Sequence, residues 1–330
     1  MPSKDFFDTP FDEGTLMKLD IFEKYFQEWL PTFVKSRFKK PIRVFDFFAG
    51  MGYDINNAAG SPIRFLKIIH KNRSYLIDEQ KRVHLYFNDI DSTKISQLKR
   101  NVEKKMRELS LNYLVEIKYT SQSFKECLRF YQDILKHGCN LIFIDQNGFK
   151  EVDEKVFQFL INLDSTEFIF FISSSYIHRF AGKSEVTKYH PKFDFDRIKK
   201  TDRKKVHNVI CEEFHKYVPQ NINNYGLIPF SIMKNDRNNV YGIIFVTKHI
   251  LGADKFLRTV WAKNALNGNA NFDIDDDLTK SQLSLFQGKI PTKIEKFKYD
   301  LRDKILRGEI KNNKDAYIFT ISQGHIHQHA

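Results

Sequence analysis

The chain has 330 residues with 53 Lys and Arg against 41 Asp and Glu, a formal net charge of +12, and is 42% hydrophobic and 15% aromatic with 32 Phe. That composition excludes a mainly disordered protein, and the length suits one large domain with a smaller one beside it. No apolar run reaches membrane-spanning length, the longest lying near Phe168–Ile172, and the first residues lack a signal-type apolar core, so a soluble protein of the cytoplasm is expected, with no membrane partner. The basic balance favours a polyanion, nucleic acid above all, although lysines spread along the whole chain would give the same total on an ordinary solvated surface. Cys127, Cys139 and Cys211 stand far apart without a CxxC pair, which argues against a disulfide framework and against a zinc knuckle.

Residues 15–36 carry helical periodicity through Leu16, Leu19, Phe22, Tyr25, Phe26, Trp29 and Leu30, and Pro41 ends that register. Short apolar runs follow at Ile42–Phe48, Val83–Phe87, Val115–Tyr119, Asn140–Ile144 and Phe168–Ser173. Helical stretches near Pro62–His70, Thr93–Leu109, Ser123–Lys136 and Glu154–Asn162 separate them, and the polar stretch Lys71–Lys81 reads as a loop insertion. Strands alternating with helices predict a doubly wound, Rossmann-like α/β sheet. A charged insertion follows at 182–218, and then two apolar runs, Leu227–Met233 and Val240–Thr247, flank the polar turn Lys234–Asn239. A parallel sheet closed by such an antiparallel hairpin is the layout of class I methyltransferases.

Beyond it, helices are expected at Asp254–Asn264 and Thr292–Leu306, a loop at Asp273–Asp277 and a strand at Ala316–Ser322. The domain reading is an N-terminal helical segment at 1–40 packed on the sheet, the sheet domain at 41–250, and a small, mainly helical module at 251–330.

Chemistry is expected at the carboxyl ends of the strands, where open α/β sheets bind ligands. The first strand leads into Asp46-Phe-Phe48-Ala-Gly50-Met-Gly52, an acid at the strand end and two glycines at the turn, where backbone can approach a ligand without a Cβ in the way. In a methyltransferase this loop lies under the methionine part of S-adenosylmethionine, with Asp46 at its amino group. The second strand ends Asn88-Asp89-Ile90-Asp91, which offers Asp89 to a ribose diol and Ile90 to the adenine face, while Asp91 reads as a helix N-terminal acid. After the third strand, Gln122 or Ser123 could reach the adenine amino group, and Ser123 serves equally as a helix cap. The fourth strand ends Asp145-Gln146-Asn147-Gly148-Phe149, where amino-group methyltransferases hold an acid and an aromatic that orient and stack the target base. A strand-ending Asp that caps a turn is the alternative there. Arg179 follows the fifth strand as a candidate phosphate contact, and Arg197, Lys199, Lys200, Arg203, Lys204 and Lys205 form a basic segment for nucleic acid. The alternating His325, His327 and His329 lack an accompanying carboxylate or cysteine, so no metal is assigned.

Taken in order, Asp46 to Gly52, Gly60-Ser61-Pro62, Phe87-Asn-Asp89, Phe143-Ile-Asp145-Gln-Asn-Gly148, Ser173 to Arg179, Gly242-Ile-Ile-Phe-Val-Thr-Lys-His249, Ala253-Asp-Lys-Phe256 and Phe319-Thr-Ile-Ser-Gln-Gly324 resemble the three-Cys-motif partner family. The resemblance implies a class I methyltransferase-like fold followed by a winged-helix module. It also implies a radical-SAM-like protein with a three-cysteine motif as partner, and a phage-defence or mobile-element setting. Met51 and Gln146 stand where the family commonly has proline, and the chain stops at Ala330 where the family pattern runs into a further helix, so the winged helix would be incomplete or finished differently.

Two functions follow from this reading. One is a SAM-dependent methyltransferase acting on nucleic acid, with Asp145 and Phe149 at the target group. The other is a catalytically inactive protein of the same fold that serves as a nucleic-acid-binding or scaffold partner.

Overall fold

The computed structural model describes residues 9–36, 40–233, 239–282 and 290–330. Seven strands form one sheet in the order β3-β2-β1-β4-β5-β7-β6, with β1 at Ile42–Asp46, β2 at Val83–Asn88, β3 at Val115–Thr120, β4 at Cys139–Ile144, β5 at Thr166–Ile172, β6 at Gly226–Met233 and β7 at Val240–Thr247. The pairings β1–β2, β1–β4, β2–β3 and β4–β5 are parallel, and β6–β7 is antiparallel with Met233 opposite Val240. The doubly wound sheet ending in a hairpin is therefore present. The expected turn at Lys234–Asn239 lies largely outside the described residues.

Contacts divide the chain into two compact units, Met1–Ile172 and Ser173–Ala330. In the first unit, β4 is buried at every position, as a central parallel strand covered on both faces must be. The long helix α1, Glu13–Val34, opens on Asp12, whose side chain accepts from Thr15 N. Its apolar stripe belongs to this unit's core: Phe22 meets Phe143 at 4.7 Å, and Phe26 meets Phe65 of α2, Ser61–Lys71, at 5.2 Å. Arg64 of α2 also holds Glu23 of α1 at 2.7 Å.

Several boundaries depart from the sequence reading. The stretch after Lys71 is not a loop, because a short helix forms at Arg73–Asp78. The helix expected over Ser123–Lys136 breaks at Tyr131 into Phe124–Phe130 and Gln132–Leu135.

The second unit is helical apart from its hairpin. The charged insertion folds into Ser184–Thr187, Phe195–Lys200 and Val206–Phe214, and the later helices are Ile250–Trp261, Asp277–Gln282 and Lys293–Leu306. Thr292 starts the last of these with a reciprocal cap to Glu295. The strand expected at Ala316–Ser322 is instead a helix, Asn313–Ser322, because the Asn312 side chain accepts from the Lys314 and Asp315 amides and starts a helical turn. No strand follows Thr247 among the described residues. No helix there is long and apolar enough to cross a membrane, and all three cysteines are buried and free.

Candidate functional site

The site lies within the first unit, at the carboxyl ends of β2, β1 and β4. Asp46 is level with Phe87 on one neighbouring strand and with Phe143 on the other. Two residues beyond those partners stand Asp89 and Asp145, so the registers bring three carboxylates to one edge, at the point where the strand order reverses.

The loop after β1 is shaped by its glycines. Gly50 and Gly52 adopt φ of +61° and +88°, and a Cβ on Gly52 would come within 2.9 Å of Leu98 Cδ1. Gly60 N donates to Gly52 O at 2.8 Å, which closes the loop directly ahead of α2. Asp54 organises the intervening turn by accepting from Asn56 N and Ala58 N at 2.9 and 2.7 Å, and it also receives Phe11 N, just ahead of α1, at 2.8 Å. Phe48 stacks on Phe124 at 5.7 Å.

Asp46 is 1% exposed and accepts from Ser61 Oγ at 2.5 Å and from Phe48 N at 3.1 Å. Burial pushes its carboxyl from 3.8 up to about 7, opposed by those two hydrogen bonds and helped by the charges of Asp145 and Asp89. Asp89 takes Gly50 N at 3.2 Å on one oxygen and Asp91 N at 3.0 Å on the other, which leaves a lone pair on each for an incoming diol. Ile90 beside it is 74% exposed. Asp91 caps the Ser92–Glu108 helix through Thr93 N and Lys94 N.

Asn88 is a residue the sequence reading passed over. It is 2% exposed, donates to Phe47 O and Gln122 O at 3.2 and 3.0 Å, and accepts from Gln122 N at 3.1 Å. It thereby ties the β1 loop to the segment after β3. Gln122 is held there by its backbone, and its Oε1 is buried without a hydrogen-bond partner. An orphaned acceptor of this kind fits an amino group supplied by a ligand. Ser123 instead gives its hydroxyl and its amide to Glu126, at 2.6 and 3.2 Å.

At β4 the structure adds a side chain that sequence reasoning missed. Lys18 of α1 places Nζ 2.6 and 2.8 Å from the two oxygens of Asp145, and 4.4 Å from the centroid of the Phe171 ring. Its side chain is 11% exposed and that of Asp145 25%. The available signal was phase: Lys18 falls four residues before Phe22 and seven before Tyr25, on the same buried stripe of α1.

The rest of the β4 motif turns inward. Gln146 is 1% exposed, and its amide is spent on Phe171 O and Glu151 N, both at 2.8 Å. Phe149 is 2% exposed, so its ring presents no face for a base to stack on, while Asn147 is exposed.

The remaining candidates lie in the second unit. Arg179 is exposed, with Asn239 Oδ1 at 3.4 Å. Within the basic segment Arg197 pairs with Glu212 and with Glu213, Lys204 with Asp276 at 2.7 Å, and Lys205 with Asp275 at 3.5 Å. Lys199, Lys200 and Arg203 have no ion-pair partner among the described residues. The histidines do not alternate along a strand. His325 is buried against Phe297 at 4.1 Å with its Nδ1 3.0 Å from His329 Nδ1, and His327 and His329 fall in a terminal turn. No group of three or more His, Cys, Asp or Glu that could hold a metal occurs among the described residues.

Five parallel strands with a reversed order at β1 and β4, closed by the β6–β7 hairpin, decide the fold. It is that of a class I methyltransferase. No protein-family model matches the chain, and no curated protein does. Among solved structures, the methyltransferase domain of bacterial CtHen1-C is similar at 14% identity and a TM-score of 0.34 over 68% of this chain and 98% of that one. The METTL16 methyltransferase domain is similar at 10% identity and a TM-score of 0.33 over 68% and 66%. Loganic acid methyltransferase with SAH is similar at 10% identity and a TM-score of 0.27 over 86% and 95%.

Proposed function

We propose that the chain is an S-adenosylmethionine-dependent methyltransferase acting on nucleic acid. The observation that carries this reading is the set of groups around the β1 loop: Asp46 and Asp89 on adjacent strands, backbone opened by Gly50 and Gly52, and the unpartnered Oε1 of Gln122. These fit the parts of that cofactor in order. Asp46 would hold its ammonium, Asp89 the ribose diol, Ile90 the adenine face and Gln122 the adenine amino group. Bound there, the cofactor supplies an electrophilic methyl on a sulfonium. The chain's contribution is positioning, with an acceptor aligned beside Asp145 for in-line attack.

The test is calorimetry with S-adenosylmethionine on the full chain. Wild-type protein is expected to bind, and Asp89→Ala is expected to lose affinity by roughly 10–100-fold, since two hydrogen bonds to a charged group go together. A folded Asp89→Ala protein that binds as tightly as wild type, or a folded wild type that does not bind, would contradict the assignment.

The Lys18–Asp145 pair also favours a second reading, in which the acceptor place is closed and the fold serves only to bind nucleic acid. Salt-sensitive binding of DNA or RNA with no tritium transfer from labelled cofactor would support it. By the family resemblance, we further propose that the helical module after Thr247 acts as a winged-helix-like contact, that the setting is phage defence or a mobile element, and that a radical-SAM-like three-cysteine protein is the partner. Co-purification of that protein with the tagged chain would test the partnership.

A further inference from the structure

Lys18 and Asp145 hold the place next to methyl transfer, and their chemistry selects the acceptor atom. Both oxygens of Asp145 are engaged by the Lys18 ammonium at 2.6 and 2.8 Å. Two of the three ammonium donors are thereby used, and the third has no acceptor among the described residues. The ammonium is not free to swing away: its side chain is 11% exposed, it lies over Phe171, and α1 is anchored through Phe22 and Phe26.

An amine acceptor suits this arrangement badly. Its nitrogen has one lone pair, so a donor pointed at it occupies the electrons needed for attack. It would also rely on Asp145 to take its N–H, and that carboxylate is already bridged by Lys18. A hydroxyl has two lone pairs, one to accept from the ammonium and one to attack. A cation beside it also favours the oxyanion character that develops as the proton leaves.

We infer that the acceptor is a hydroxyl oxygen contacted by Lys18, and, resting on the nucleic-acid reading above, that it is a ribose 2′-hydroxyl of RNA. Internal DNA positions carry no free hydroxyl, whereas every RNA position does. In the step, the hydroxyl oxygen attacks the methyl carbon, the O–C bond forms, and the C–S bond breaks with its electron pair left on sulfur. The hydroxyl proton passes to solvent water.

The experiment uses the full chain with tritiated S-adenosylmethionine and two probes, a random-sequence RNA pool and a DNA pool of matched sequence, each digested to nucleosides afterwards. The expected label is on ribose in RNA, with none in DNA and none with Lys18→Met. A binding measurement stands beside it. With S-adenosylhomocysteine present, wild type is expected to bind the RNA pool about tenfold more tightly than the same pool carrying 2′-O-methyl groups, as loss of one charge-assisted hydrogen bond implies. Lys18→Met is expected to abolish that ratio and Lys18→Arg to retain part of it. A purely structural lysine would lower the melting temperature and leave the ratio unchanged, which would overturn the inference. Label on a base nitrogen or on DNA, or no label on either pool from protein that binds the cofactor, overturns it as well while leaving the cofactor assignment standing. Failure of wild type to bind the cofactor removes both.

Discussion

Gly242→Ala is expected to destabilise the second unit by about 3 kcal/mol or more, the upper part of the range for forced overpacking. A Cβ at this position would lie 2.3 Å from the Phe230 carbonyl oxygen and 2.5 Å from His207 Nε2. Neither neighbour can retreat. Phe230 belongs to the β6 ladder, one residue from the Ser231–Gly242 pair. His207 is fully buried and held at both nitrogens, by Ser174 Oγ at 2.7 Å and by the Ile243 carbonyl at 3.1 Å. The carbonyl requires Nε2–H, so Nδ1 accepts from the serine hydroxyl. The shift in melting temperature should be on the order of 10 °C, followed by circular dichroism, and a variant melting with wild type would contradict this packing. Burial also pushes the His207 imidazole from 6.5 down to about 4. Between those values the unfolded chain binds the proton and the folded one does not, so stability falls as pH drops through that window.

On the proposed assignment, cofactor affinity is expected to weaken about tenfold for each pH unit below about 7, because the ligand ammonium and the Asp46 proton would compete for one carboxylate. Raising this carboxyl from 3.8 to about 7 corresponds to about 4 kcal/mol in favour of the protonated form. A cation placed against it recovers part of that. In the free protein the sign is opposite to the usual carboxylate case: stability falls as pH rises from 3.8 towards about 7, since the unfolded chain releases the proton first. Titration calorimetry in buffers of different ionisation enthalpy should show proton release near neutral pH, lost in Asp46→Asn, whose amide oxygen can still accept from Ser61. Affinity that does not change with pH in wild type would refute the role of Asp46.

Much of the sheet was legible because parallel strands must be apolar on both faces and their ends must turn. Runs such as Leu141–Ile144 and the glycines after Asp46 carry those demands locally. The hairpin was legible from two apolar runs flanking a polar stretch. Ala316–Ser322 misled because apolar residues occur throughout it and alternation fits them, while the cap that fixes the helix, Asn312, lies ahead of the run. Gln146 and Phe149 looked like ligand contacts by position. The turn after β4 directs both inward, where Gln146 satisfies backbone groups of two other segments. Lys18 is 127 residues from Asp145 in sequence, and only the docking of α1 through its aromatic stripe brings them together.

The pairing of Arg197, Lys204 and Lys205 with Glu212, Glu213, Asp276 and Asp275 changes what the basic segment can offer a polyanion. A phosphate arriving at these three exchanges one anionic partner for another, and few condensed ions leave the nucleic acid as net gain. Only Lys199, Lys200 and Arg203 would contribute in full, so the slope of log affinity against log salt for duplex DNA should lie near about −2.7 rather than the roughly −5.4 that six open cations would give. Binding through this face would therefore vary less with salt than that of proteins with the same number of unpaired lysines and arginines, and the acidic partners would set that slope.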